Sequence, residues 1–311
     1  MKIGIIGLGD IAQKAYLPVI TQLPNIDLVF CTRNESTLTS LAQQYRIAET
    51  CTDYKQLMSF GVDAVMIHAA TSVHFQIAEY FLKQGVPTFV DKPLADNAEQ
   101  VEKLYEISAQ TAQPLYVGFN RRHIPLYNHH MQGAQQGDIS GLKSLRWEKN
   151  RHNLPGDIRT FIFDDFIHPL DSVNIVAKSD LKDIYITQQF DGAKLARLDV
   201  QWQHNEILLH ASMNRHFGIT TERVQACYSN KVFEFDSFTE GKLWHENQEQ
   251  KLSLKDWTPM LSSKGFHNML LDWFEVIESG KMASGIVERN IASHQLAEAI
   301  CQQIGQAILR S

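Results

Sequence analysis

Residues 2–12, KIGIIGLGDIA, set a short apolar run directly against Gly7-x-Gly9-x-x-Ala12. Few arrangements satisfy that order. Gly7 permits the tight turn that leaves a strand, and Gly9 lets the backbone approach a pyrophosphate. Ala12 lets the next helix pack close to the strand, and that helix's N-terminus offers amide donors and a positive dipole end. The motif is weak alone and gains force from the segments downstream. Apolar runs at 26–31, 63–69, 87–90 and 114–119 alternate with helix-like segments that reach about 22 and then cover 36–45, 72–84 and 97–112. Asn34 or Ser36 can cap the second helix, and Gly85 stops the third. The alternation predicts βαβ units and a parallel sheet covered on both faces.

After Phe119 the pattern changes. A helix is predicted over 121–136, then strands over 142–150, 183–190, 195–203, 206–213, 221–228 and 231–236, then helices over about 265–279 and 287–309. Strands in succession predict a mostly antiparallel sheet. The expected fold is therefore α/β. Residues 1–119 form an N-terminal Rossmann dinucleotide-binding domain. Residues 120–311 are expected to form a C-terminal α+β domain with a mostly antiparallel open sheet. A length of 311 residues suits two moderate domains.

A net charge of −6 argues against a nucleic-acid partner, which wants a basic surface. The cysteines at 31, 51, 227 and 301 show no metal-ligand spacing, so reduced thiols and no metal site are expected. No stretch approaches ~18 apolar residues, and the apolar start is too short for a signal peptide, so no membrane partner is expected and the location is expected to be cytoplasmic.

The second strand ends in Cys31-Thr32-Arg33-Asn34. A carboxylate there would bind the 2′-hydroxyl of NAD(H). Thr32 and Arg33 instead suit a 2′-phosphate, which favours NADP(H) over NAD(H). The alternative for Arg33 is a solvated loop residue. The stretch PTFVDKPLADN (87–97) raises a second question. Ligands of a doubly wound sheet lie beyond the carboxyl ends of its strands, so the strand ending at Val90 delivers Lys92 to the cofactor edge. Pro93 then forces the chain out of the sheet. An ammonium there can stabilise alkoxide-like charge on a substrate oxygen as hydride moves. The plainer alternative is a surface lysine.

GLGDIA, HAATSVH (68–74), DKPLA (91–95), GFNRR (118–122) and DFIHPLD (165–171) together resemble the Gfo/Idh/MocA oxidoreductases, and most of all an MviM-like group labelled by virulence rather than by chemistry. The family usually has Glu-Lys-Pro where this chain has Asp91-Lys92-Pro93. The resemblance implies a nicotinamide-dependent dehydrogenase or reductase acting on CH–OH groups. It implies cofactor contacts from Gly7, Leu8, Gly9, Asp10, Ile11, Thr32, Arg33, Ala69, Ala70, Thr71, His74, Asp91 and Lys92.

In TFIFDDFIHPLDSVNIV (160–176), Asp164, His168 and Asp171 would share a face of a continuous helix. Pro169 is comfortable only in a first turn, which predicts a helix start near 165–168 with Asp164 at or before the cap. A helix N-terminus favours neutral imidazole, the form a general base needs. By resemblance, His168 exchanges the hydroxyl proton, Asp164 orients or tunes it, and Lys92 polarises the oxygen. The alternative for His168 is a satisfied core histidine. Asn120, Arg121 and Arg122 open the second domain, and Arg146, Arg151, His152 and Arg159 make the following loop basic. Asn120, Arg122 and Arg151 are the candidate substrate contacts, either for an anionic group or as solvated charges. Trp202, Trp244 and Trp257 read as core or interface residues. The expected partner is a small polyol or sugar-like substrate, with or without an anionic group, and the expected assembly is a homodimer or homotetramer. The competing reading is a non-catalytic NAD(P)-binding regulatory protein of the same fold. Such a protein would have no need of Lys92, Asp164 and His168 together.

Overall fold

The computed structural model describes residues 1–309. The chain forms two compact units. The first comprises Met1–Phe119 with Phe266–Ala283, and the second comprises Asn120–Gly265 with Ser284 onward.

The first unit is built on six parallel strands: β1 (Lys2–Ile6), β2 (Asp27–Cys31), β3 (Glu49–Cys51), β4 (Ala64–Ile67), β5 (Thr88–Val90) and β6 (Leu115–Val117). Their order is β3-β2-β1-β4-β5-β6, the doubly wound arrangement of a Rossmann domain. β4, β5 and β6 are buried throughout, as apolar strands covered on both faces must be. Two of the helices between them are capped by side chains: Asn34 accepts from Thr37 N–H ahead of Glu35–Tyr45, and Asn97 accepts from Gln100 N–H ahead of Ala98–Thr111. β3, with the 3-10 turn Tyr54–Phe60 behind it, has no counterpart in the predicted elements. Three residues are too few to show a period.

Helix Phe266–Ser279 belongs to this first unit, although the predicted boundary placed it in the second domain. Aromatic packing draws it in. The Trp273 ring lies 6.0 Å from that of Phe89 and 5.5 Å from that of Tyr116, the Phe266 ring meets that of Tyr16, and Tyr116 Oη donates to Asp272 at 2.6 Å.

The second unit carries eight strands: β7 (Leu142–His152), β8 (Ile184–Asp191), β9 (Lys194–His204), β10 (Ile207–Phe217), β11 (Thr221–Tyr228), β12 (Lys231–Phe235), β13 (Glu240–His245) and β14 (Gln248–Ser253). Their order is β14-β13-β12-β11-β7-β10-β9-β8. Among the described residues only β7 and β10 of this sheet pair in parallel, so the sheet is mostly antiparallel. Trp147, Leu198, Val200, Leu209, Met213 and Phe235 turn into a core closed by Phe161, Phe166, Leu170, Leu296 and Ile300. The other face is largely polar near β8–β10, where Thr187, Gln189, Asp199, Gln201 and His210 line a shallow groove beside the exposed ring of Tyr185. The long helix predicted over 121–136 is broken into the turn Asn120–His123 and the helix Pro125–His130.

One helical segment runs from Thr160 to Val173, π-helical through Phe166 and α-helical from Ile167. It therefore starts earlier than Pro169 suggests. A proline inside an α-helix meets the carbonyl four residues back. A wider register just upstream is a known way to accommodate such a break. His168 consequently sits well inside the helix, and the dipole argument for its neutral form lapses.

Asp171 anchors this helix. It is 1% exposed, accepts from Arg122 Nε at 2.9 Å and from Nη2 at 2.6 Å, and also accepts from Ser293 Oγ at 2.9 Å. The Arg289 guanidinium lies 3.7 Å away. Burial pushes the Asp171 carboxyl up, but Arg122 and Arg289 outweigh it and hold it below the usual carboxylate range. A folded-state value below the unfolded one stabilises the fold above about pH 4, and that contribution is lost as pH falls. Asp171→Asn leaves two buried guanidinium groups without their carboxylate. It is expected to lower the unfolding free energy by about 3–5 kcal/mol, read as a reduced urea midpoint at neutral pH, with the gap to wild type narrowing on acidification.

Candidate functional site

In the first unit, the carboxyl ends of β1, β2 and β4 surround a cavity of about 410 Å³. Gly7, Leu8, Gly9, Thr32, Arg33, Ala69 and Ala70 line it, all of them residues singled out in the sequence. Gly7 has φ +87°, and a Cβ there would lie 2.6 Å from the amide nitrogen of Ala69. Its lack of a side chain lets the turn after β1 touch the loop after β4. A Cβ on Gly9 would meet nothing within 4 Å, so the space on that side of its backbone is open to a ligand. Ala12 is fully buried, as close helix packing requires. The donor-rich turn, the open backbone at Gly9 and the adjacent cavity fit a dinucleotide.

At the β2 end, no carboxylate enters the lining. Asp53, just beyond β3, is turned to cap the turn at Tyr54 by accepting from Lys55 N–H at 3.0 Å. Arg33 is exposed at the cavity wall, and Thr52 and Tyr54 complete this end. His68, Ser72 and Val73, which lie within HAATSVH but are not among the expected cofactor contacts, also line the cavity, as does Gln76 beyond that motif. Gln76 follows Ser72 at helical spacing, the one sequence signal that could have found it. Asp10, Ile11, Thr71, His74, Asp91 and Lys92 do not line it.

His74 is buried, and its ring bridges two loops: Nδ1 lies 2.9 Å from Pro93 O and Nε2 lies 2.9 Å from Ala69 O. It joins the cavity loop after β4 to the loop after β5 that carries Lys92. Asp91 likewise faces the protein. Tyr16 Oη donates to its Oδ1 at 2.6 Å, and the Lys92 amide adds a second donor. Burial raises the Asp91 carboxyl above its ordinary value, against the opposing effect of Lys92 and Tyr16. The Tyr16 ring in turn packs against that of His68, tilted by 33° with the centroids 3.9 Å apart. A Cβ at Gly118 would lie 2.7 Å from Tyr16 Oη and 3.2 Å from Asp91 Oδ1, so this contact needs the glycine of VGFN. Lys92 itself is half-buried. Its backbone is thus held from both sides, by Asp91 and by the tie at Pro93.

In the second unit, His168 is buried and its carbonyl accepts from Ser172 Oγ, while Asp164 is exposed. The adjacent Asp165 is the buried acid. It contacts Lys149 Nζ at 2.6 Å, Arg151 through Nε at 2.9 Å and Nη2 at 2.7 Å, and Arg215 at 3.0 Å. Burial alone would raise its carboxyl, but Lys149 and Arg151 hold it far below the usual range. Asp165 is thus committed to these three cations, while Asp164 keeps the four-residue spacing to His168.

Two of the three candidate substrate contacts face inward instead. Asn120 donates to Lys264 O at 2.8 Å and accepts from Arg121 at 3.0 Å, which uses both ends of its amide. Arg122 is buried in its fork with Asp171. These two hold the frame rather than substrate, because each side chain already has fixed protein partners. Arg151 keeps a partly exposed guanidinium. Arg146 and Arg159 pair with Glu148 and Glu298.

Residues 1–119 match the family described as an oxidoreductase family with an NAD-binding Rossmann fold, GFO_IDH_MocA. A solved Gfo/Idh/MocA family oxidoreductase from Vibrio cholerae is 61% identical, with 99% of each chain covered and a TM-score of 0.98. A dehydrogenase labelled MviM from Clostridium difficile is 27% identical over 97% of this chain and 99% of its own, with a TM-score of 0.87. The myo-inositol dehydrogenase Hyg17 of Streptomyces leeuwenhoekii is 25% identical over 63% of this chain and 60% of its own. With near-complete coverage at 61% identity, and with a Rossmann domain whose cavity fits a dinucleotide, the chain belongs to the Gfo/Idh/MocA family of NAD(P)-dependent oxidoreductases.

Proposed function

We propose that this protein interconverts a hydroxyl and a carbonyl on a sugar, cyclitol or related polyol, with NADP(H) as its preferred cofactor. The observation that carries this reading is the bridge made by His74. It fastens Ala69, at the dinucleotide cavity, to Pro93, beside Lys92, so a lysine is held in fixed relation to the place a nicotinamide cofactor would occupy. A free surface lysine has no need of such fastening. The name of the myo-inositol dehydrogenase relative supports the cyclitol class.

Gly7, Gly9, Ala69 and Ala70 would hold the cofactor's phosphates and ribose, and Thr32 with Arg33 its 2′-phosphate. When bound, the nicotinamide supplies or accepts the hydride. The ammonium of Lys92 polarises the substrate oxygen and balances its charge as the C–H bond changes. The imidazole of His168 takes the hydroxyl proton during oxidation and returns it during reduction. Asp164 orients that imidazole. Asp91 and Tyr16 act only through Lys92, by fixing its backbone.

Titration with NADPH and NADH, followed by nicotinamide fluorescence, tests the cofactor preference. NADPH is expected to bind at least about tenfold more tightly, the scale of one charge-assisted contact, and Arg33→Ala is expected to erase that difference. Equal affinities in the wild type would refute the role of Arg33. Lys92→Ala and His168→Ala are each expected to lower turnover of a polyol substrate by about 10²–10⁴-fold while NADPH still binds. Undiminished turnover in either variant would remove that residue from the chemistry.

A further inference from the structure

Lys149, Trp147 and Arg151 alternate onto one face of β7, and the strand pairing sets Glu222 of β11 directly opposite Lys149. Toward this end of the sheet the core changes from apolar to charged. Asp165 takes Lys149, Arg151 and Arg215, while Glu222 takes Arg121 through Nε and Nη2 and the indole N–H of Trp147 at 2.8 Å. Four cations thus surround two carboxylates. Adding Lys264, which Arg121, Arg151 and Glu222 influence, and the exposed Asp164, which influences Arg215, leaves the same excess. Most of this charge is out of water. The Lys149 side chain is 4% exposed, that of Arg215 6% and that of Arg121 14%, while Arg151 remains 33% exposed.

A network serving stability alone gains nothing from two surplus buried cations, because unmatched buried charge costs several kcal/mol. The strain is visible at Lys149, whose ammonium is pushed down to about 7, chiefly by burial and then by Arg121. Both oxygens of each carboxylate are already engaged, whereas an ammonium has three donors and a guanidinium five. The donor capacity exceeds what Asp165 and Glu222 can absorb, and Arg151 gives the cluster an edge open to solvent.

We infer that Arg151, Lys149, Arg121 and Lys264 form a subsite for an anionic group, a carboxylate or a phosphate, on the substrate. Asp165 and Glu222 fix the cations in place and the incoming anion balances them. The inference deepens the proposed oxidoreductase reading, because the subsite selects acidic or phosphorylated polyols over neutral ones. Arg146 and Arg159 take no part, since each is paired elsewhere.

The test uses the full chain saturated with NADPH, so that the Arg33 site is already filled, and measures sulfate and acetate binding by calorimetry at constant ionic strength. Sulfate stands for a phosphate and keeps its charge over the range used, and acetate stands for a carboxylate. Saturable binding of one anion in preference to the other is expected and identifies the group. Lys264→Met and Arg151→Met should each weaken it by about tenfold, the scale of a hydrogen bond to a charged group. Lys149 is faced by Asp165, Glu222, Arg121 and Arg151. Affinity should therefore fall by about tenfold between about pH 6 and pH 9 as this lysine loses its proton, with proton uptake on binding near neutral pH. Absence of saturable binding by either anion overturns the inference, as does undiminished binding in Lys264→Met. If NADPH itself fails to bind, the oxidoreductase reading falls; if NADPH binds and the anions do not, only the subsite falls.

Discussion

The contact between Gly7 and the backbone of His68 and Ala69 governs the first unit. Two strand-end loops can touch there only because one residue has no Cβ and adopts a positive φ. That contact closes one wall of the dinucleotide cavity and leaves Gly9 facing open space. His74 then extends the same lip to the loop after β5. The rim of the sheet becomes a row of loops with fixed separations. Catalysis by positioned groups depends on such fixity, since small displacements cost large factors in rate.

The second unit uses charge for a comparable purpose. The helix Thr160–Val173 carries two buried aspartates with different surroundings. Asp171 is satisfied by Arg122 and Ser293 beside Arg289, and it joins the helix to the chain on either side of it. Asp165 binds three cations in a group where positive charge is in surplus. One carboxylate serves as a structural anchor; the other organises side chains that still have donors to offer. His168 lies between them on the same helix, buried, and so is held by a segment fastened at both ends.

How much of this fold is legible in the sequence depends on how local each cause is. The strands β1, β2, β4, β5 and β6 announce themselves as apolar runs, and the caps Asn34 and Asn97 mark two helix starts, because these depend on neighbours in the chain. β3 is too short to show a pattern, β14 is largely exposed, and β13 is half-buried with a glycine and charged residues that hide its alternation. The start of the helix at Thr160 is obscured by Pro169, whose usual effect a π-helical register sets aside. Around the site, Gly7, Gly9, Thr32 and Arg33 are legible because motif spacing reports backbone geometry. The roles of Asn120 and Arg122 are not, since Lys264, Asp171 and Arg289 are distant in sequence. Asp164 and Asp165 are adjacent, and no spacing rule says which of two neighbouring acids turns inward.

The return of Phe266–Ser279 to the first unit has a topological consequence. The chain passes from one unit to the other at residues 119–120, again at 265–266 and again at 283–284. Neither unit is one uninterrupted length of polypeptide, so no single cut separates them. The stretch that matches the NAD-binding family, residues 1–119, lacks the Trp273 indole packed on Phe89 and Tyr116 and the carboxylate that receives the Tyr116 hydroxyl. Synthesised alone it would expose that aromatic surface to water. The cofactor domain is therefore complete only after translation has passed the entire eight-stranded sheet, and the order in which the ribosome delivers the chain differs from the order in which its domains can close.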